Sequence, residues 1–195
     1  MSEVAATVRH MTRAIFHTAT TLDGYLATDD DSLDWLFAVP GADEAEAAFA
    51  GFLADVGALV MGSATYEWML RHEGLFDAPE KWAGYYGTRP TFVFSSRALP
   101  RVPGADIRHV EGGVREHIDE IRDAAGAGDV WIVGGGDLAG QFADAGLLDE
   151  IRVSIAPVTL GSGKPLLPRV LGADRLTLVD ARTAGQFVEL VYSVS

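Results

Sequence analysis

The stretch Asp129–Asp137, D-V-W-I-V-G-G-G-D, constrains this chain more than any other. A short run of β-formers breaks off in three glycines, and a helix-like segment beginning at Leu138 follows. Strand, glycine turn and helix start together bring a backbone close to a phosphate. Glycine has no Cβ to block the approach, and the first helical turn presents unpaired N–H groups to an anion. The pattern stops short of a complete G-x-G-x-x-G fingerprint, so a tight turn without ligand stands beside a nucleotide cofactor as its reading.

The neighbouring segments repeat the alternation. Ala14 to Thr20 reads as a strand, and residues 21–31 as a polar loop with Gly24 and several aspartates as turn formers. Asp43 to Asp55 spaces its apolar residues three and four apart, an amphipathic helix with acids in its first turn. Ala58 to Met61 is a buried strand that stops at Gly62, and a helix capped by Gly62 or Ser63 follows. Strands at Pro90 to Ser95 and Ile107 to Val110 precede a helix from Val114 to Ala125. After the glycines a helix runs to about Ala145, then a strand from Glu150, then a hairpin turning at Ala184 and Gly185. Strands alternating with helices predict an α/β, three-layer fold with a mostly parallel central sheet and an antiparallel C-terminal hairpin. The long stretch between Arg71 and Arg89 carries Trp82, Tyr85 and Tyr86 and reads either as a mobile, partner-facing loop or as an ordered one.

With 195 residues, 48% hydrophobic and 22% charged, the chain suits one domain over residues 13–195 behind a flexible extension at 1–12. No apolar run approaches the ~20 residues of a membrane span, and the N-terminus lacks a secretory apolar core, so a cytoplasmic protein is expected. The absence of cysteine excludes disulfides and thiolate chemistry. A net charge of −13 disfavours nucleic acid and anionic membranes, though not a small anionic ligand held by local groups. The five histidines, among them His17, show no ligand spacing, and no metal is expected.

Four motifs then fall in a telling order: T-L-D-G-Y-L-A after the first strand, L-V-M-G-S-A-T-Y-E after the second, F-V-F-S-S-R after the third, and I-V-G-G-G-D-L after the fifth. This order resembles the dihydrofolate reductase superfamily, in its bacterial branch similar to the C-terminal reductase domain of bifunctional riboflavin-biosynthesis proteins. The resemblance spans about Arg13 to Ser195. It implies a dihydrofolate-reductase-like fold, a homodimer, and NADPH rather than NADH lying across the C-terminal edge of the sheet. The implied reaction is hydride transfer to a small heterocycle, pterin- or pyrimidine-like.

Residue by residue, the resemblance puts Ala19, Leu22 and Gly24 beside the nicotinamide, and Gly62, Ser63, Ala64 and Thr65 against phosphate. Ser95, Ser96 and Arg97 would flank the adenosine ribose, and Gly134, Gly135, Gly136, Asp137 and Leu138 would cradle the pyrophosphate. Tyr25, Trp35 and Tyr66 fall on the substrate side. Two positions depart from the pattern. Ser63 stands where the family often has a phosphate-pairing Arg, which leaves Arg97 as the guanidinium for a 2′-phosphate. Val133 stands where riboflavin-pathway reductases tend to carry a Glu, and their partner deaminase domain is not in the sequence. Both observations count against a riboflavin-pathway substrate.

Asp23, Asp34 and Glu46 are the candidate proton donors. Asp23 could equally organise its turn, and Glu46 could be a solvated charge at a helix start. Asp34 adjoins Trp35, a pairing that suits a flat ring. Lys164, in Gly161-Ser-Gly-Lys-Pro, reads as a loop lysine bordering the cleft. A non-catalytic nucleotide-binding or dimeric regulatory protein of the same fold is the rival reading.

Overall fold

The computed structural model describes residues 12–40 and 43–195, with the side chains of 43–48 left outside. The extension expected at 1–12 therefore lies, but for Thr12, outside the described residues. The chain runs β1 (Ala14–Thr21), β2 (Tyr25–Ala27), α1 (Asp34–Phe37), α2 (Asp43–Ala54), β3 (Val56–Gly62), α3 (Ser63–His72), α4 (Lys81–Tyr86) and β4 (Thr91–Phe94). It continues through β5 (Ile107–Val110), α5 (Val114–Ala125), β6 (Asp129–Gly134), α6 (Gly136–Asp144), β7 (Glu150–Ala156), β8 (Lys164–Pro165), β9 (Leu176–Ala184) and β10 (Phe187–Val194).

Eight strands form one sheet in the order β5-β4-β3-β6-β1-β7-β10-β9. All pairings are parallel from β5 to β7, and β10 is antiparallel to both β7 and β9. The fold is the expected three-layer α/β arrangement. Its central strands read as near-continuous apolar runs because helices cover both faces of the sheet. On one face Val114, Ile118, Ile121 and Ala125 of α5 and Leu138, Ala139, Phe142 and Ala143 of α6 bury against Phe16, Val60 and Ile132. On the other, Tyr66, Met69 and Leu70 of α3 and Trp82 of α4 pack with Leu59, Met61 and Trp131. A smaller cluster of Trp35, Val39, Ala156 and Phe187 seats α1. At the outer hairpin, Leu178, Val179 and Val188 stay exposed.

Two local features go beyond the sequence reading, and a third falls on one of the alternatives it left open. Residues 21–31 are not all loop, since β2 pairs antiparallel with β8, Tyr25 opposite Pro165 and Ala27 opposite Lys164. Residues 34–37 form a single helical turn. The aromatic stretch before Arg89 is ordered: Trp82 is buried against Tyr66 and Tyr86, with ring centroids 6.1 Å and 4.9 Å away. Arg89 locks this region by donating to the carbonyls of Leu53, Val56 and Tyr86 at 2.8 to 3.0 Å. No described helix is long and apolar enough to cross a membrane.

Candidate functional site

The strand order creates the site. β3 and β6 lie side by side, yet the chain leaves β3 towards β4 and leaves β6 towards β7, in opposite directions across the sheet. Crevices beyond the carboxyl ends of strands at such a reversal are where α/β sheets bind ligands. Here Gly62 ends β3 and Gly134 ends β6, and a cleft of about 390 Å³ opens between them. Two helices start at its floor: α3 is capped by Gly62, α6 by Gly135, and both caps are extended backbone. Their first turns turn unpaired N–H groups and the positive ends of two helix dipoles towards one space.

The three glycines differ in their surroundings. A β-carbon at Gly135 would meet nothing within 4 Å, whereas one at Gly136 would lie 2.3 Å from the Leu166 carbonyl oxygen. At Gly134 it would lie 3.2 Å from Thr65 Oγ1. The Gly134–Gly135 peptide is cis. Gly136 is thus dictated by packing, while Gly135 leaves a bare backbone facing the cleft. That geometry fits a pyrophosphate, which needs close approach to peptide N–H groups without an intervening side chain.

Of the expected cofactor residues, Ala19, Gly62, Ala64, Thr65, Gly134, Gly135, Gly136 and Asp137 line the cleft together, and so does Trp35. The others do not. Leu22 points to solvent and its N–H donates to Val158 O at 2.8 Å, while Gly24 holds a turn at φ 85°. Leu138 is buried in the core on the inner face of α6. Ser63 starts α3 just outside the lining, and Arg97 lies alongside, its guanidinium donating to Glu67 at 2.8 Å and 3.2 Å and standing 3.5 Å from Ser63 Oγ. The Ser95 hydroxyl is spent on its own turn, accepting from Arg97 N and donating to Arg97 O, both at 2.9 Å, and Ser96 is exposed.

On the substrate side Tyr66 is misplaced by the sequence reading. It is fully buried, donates to Pro100 O at 2.7 Å, and burial pushes its phenol up to about 12. Tyr25 packs in the β2–β8 ribbon rather than in the cleft wall. The candidate acids fare similarly. Asp23 accepts from the Thr21 hydroxyl at 2.6 Å, from Gly161 N at 2.7 Å and from Leu160 N at 3.0 Å. These bonds hold its carboxyl below the usual range, so it is a loop tie that stays ionised. Asp34 is exposed on α1 and outside the lining. Glu46 falls on α2, its side chain outside the described residues. His17 is not on the cleft: it lies under the opposite part of the sheet between Phe49 and Phe52, and its Nδ1 has no hydrogen-bond partner.

The cleft also recruits residues that the sequence reading passed over, including Thr18, Asp31, Leu33, Leu36 and Trp68. Trp68 was legible in principle, because it follows Ala64 and Thr65 by four and three residues and so shares their helix face. Its indole stacks on His72 at 4.4 Å, and His72 stacks on Phe37 of α1 at 5.1 Å, which braces the short helix over the cleft. Val133 lines the wall immediately before the glycines, where it offers no charge.

Comparison with known proteins agrees with this fold. Residues 87–190 match the RibD C-terminal domain, and the chain belongs to that family. It is 27% identical over 180 residues to the uncharacterised Bacillus subtilis protein YwjB, covering 92% of this chain and 97% of that one. A candidate riboflavin biosynthesis protein from Shewanella sp. PV-4 has a similar crystal structure, with a TM-score of 0.76 at 25% identity over 94% and 99% of the two chains. Dihydrofolate reductase from Enterococcus faecalis, solved with NADP(H), shares the fold at a TM-score of 0.60 and 16% identity, over 95% and 98%.

Proposed function

We propose that this member of the RibD C-terminal domain family is an NADPH-dependent reductase acting on a small, flat heterocycle. The observation that carries the reading is the open β-carbon position of Gly135 between two converging helix N-termini, at the strand-order reversal of the sheet. In this reading the N–H groups of Gly136, Asp137, Ala64 and Thr65 hold the pyrophosphate, and Ala19 and Thr18 floor the nicotinamide end. Bound there, NADPH supplies a hydride. The chain itself supplies orientation and a dry wall: Trp35, Leu36, Trp68 and Val133 exclude water from one side of the space beyond the glycines. The same wall offers no carboxylate at Val133, which supports a substrate other than that of the riboflavin pathway.

Titration with NADPH tests the reading. At one hundred times the dissociation constant a ligand stabilises by about 2.7 kcal/mol, so the melting temperature should rise by roughly 5 °C or more. Trp35 and Trp68 border the cleft, and their fluorescence should be quenched in parallel. No thermal shift and no quenching would refute the cofactor assignment. Binding without turnover of any heterocycle would move the chain to a nucleotide-binding role.

A further inference from the structure

The cleft wall holds one charged pair that the cofactor reading leaves unused. Asp31 and Lys164 both line the cleft, with the Lys164 ammonium 3.5 Å from Asp31 Oδ1. Asp137, the other charged liner among the described residues, is already engaged by Arg169 at 2.9 Å and Gln141 at 3.0 Å. An ion pair as exposed as Asp31–Lys164 adds little to stability. Two tied loops nevertheless bring the pair together at the wall.

Asp31 sits at φ 65°, a left-handed conformation uncommon for a residue with a side chain. The turn that holds it is closed by Asp31 N donating to Thr28 O at 3.1 Å and Ser32 N donating to Thr28 Oγ1 at 2.9 Å. Lys164 arrives from the other side, paired through β8 with Ala27 of β2. The two loops are stitched a second time by the Ser162 hydroxyl donating to Asp29 at 2.9 Å. Gly163 fits between them so closely that a β-carbon there would stand 2.2 Å from Ala27 O. The result is a hydrogen-bond acceptor beside a donor, carried on two loops tied to each other, under the aromatic and apolar wall of Trp35, Trp68, Leu33 and Leu36.

We propose that the Asp31–Lys164 pair is the specificity determinant of the substrate half of the cleft, reading the edge of a neutral planar ring that carries an N–H next to a C=O. The carboxylate accepts from the ring N–H and the ammonium donates to the carbonyl oxygen. A ring lacking that edge displaces water from both groups without replacing its hydrogen bonds, which is the source of the discrimination. A phosphorylated substituent is disfavoured, since among the described residues the lining has no arginine and its one lysine stands beside the Asp31 carboxylate. The proposal rests on reading this cleft as a joint cofactor and substrate site.

The test compares two stable bicyclic probes, 2-aminoquinazolin-4(3H)-one and quinazoline, binding to the protein saturated with NADP+, followed by calorimetry. The lactam probe should bind at least tenfold more tightly. Asp31→Gly, which suits the local φ, and Lys164→Met should each bring the ratio near one while NADP+ affinity stays within twofold. Equal binding of the two probes overturns the proposal, as does no binding of either, or a ratio that survives both substitutions. If NADP+ itself fails to bind, the reductase reading falls, and the same probe ratio measured without nucleotide still decides the role of the pair.

Discussion

Gly136 lies directly beneath the chain at Leu166: a β-carbon at position 136 would stand 2.3 Å from the Leu166 carbonyl oxygen and 2.4 Å from that of Pro165. Both neighbours are backbone and cannot rotate away. Gly136→Ala should therefore destabilise the fold by roughly 2 kcal/mol or more, because the 165–168 segment that walls the cleft has to shift. Gly135→Ala, with nothing within 4 Å and an ordinary extended φ of −84°, should change stability by less than about 0.5 kcal/mol. Urea midpoints of the two variants provide the check. Equal midpoints would show that the glycines are not distinguished by packing.

The space that tolerates a methyl group at Gly135 is the space assigned to the pyrophosphate. Gly135→Asp should fold as well as Gly135→Ala and yet weaken NADPH binding by tenfold or more, through crowding and repulsion of a negative charge in low-dielectric surroundings. Fluorescence titration of the two variants side by side separates charge from bulk. NADPH affinity unchanged by the aspartate would remove the triple glycine from the cofactor site.

Arg97 reaches the start of α3 but is shared with Glu67, which accepts from it at two oxygens. A 2′-phosphate near Ser63 would have to compete with that carboxylate. Arg97→Ala should weaken NADPH about tenfold relative to NADH, the value of one charge-assisted contact. Glu67→Gln should shift the preference the other way by freeing the guanidinium. If both cofactors respond equally to both substitutions, Arg97 has no part in telling them apart.

The regular layers and the strand-to-helix turn at the glycines were legible because their signals are local. Apolar runs cut off by Gly62 and by Gly134 specify a strand, a turn and a helix start without reference to distant residues. What escaped was set by partners far along the chain. β2 exists only because Lys164 and Pro165 arrive beside it, so nothing in Tyr25–Ala27 alone distinguishes it from a loop. Tyr66 shares its helix with Thr65, but one residue on an α-helix is a rotation of about 100°, enough to turn the ring from the cleft into the core. Asp23 has the composition of an acid, and only the approach of the Leu160 and Gly161 amides reveals it as a loop tie. Asp31 was read as one of several turn-forming aspartates, and its place in the wall depends on the loop that brings Lys164.

His17 lies within a ring cage, with centroids 4.4 Å from Phe52 and 5.6 Å from Phe49, and its Nδ1 lacks a partner. Burial holds its pKa down to about 4, and Arg152 and Arg182 add to the effect. Both arginines are paired, Arg152 with Glu150 and Arg182 with Glu189, yet each still disfavours a cation at the imidazole. Unfolding returns the ring to its ordinary value of 6.5, so between that pH and about 4 the unfolded chain binds a proton that the folded chain refuses. Stability must then fall as the pH drops through this window, by about 3 kcal/mol over its full width, with no further contribution from His17 below it. His17→Phe keeps an aromatic ring in the cage and removes the titrating group. Urea midpoints at pH 7, 5 and 4 should fall less steeply for the variant than for the wild type. Parallel curves would mean that the imidazole is protonated in the folded protein as readily as in the unfolded chain.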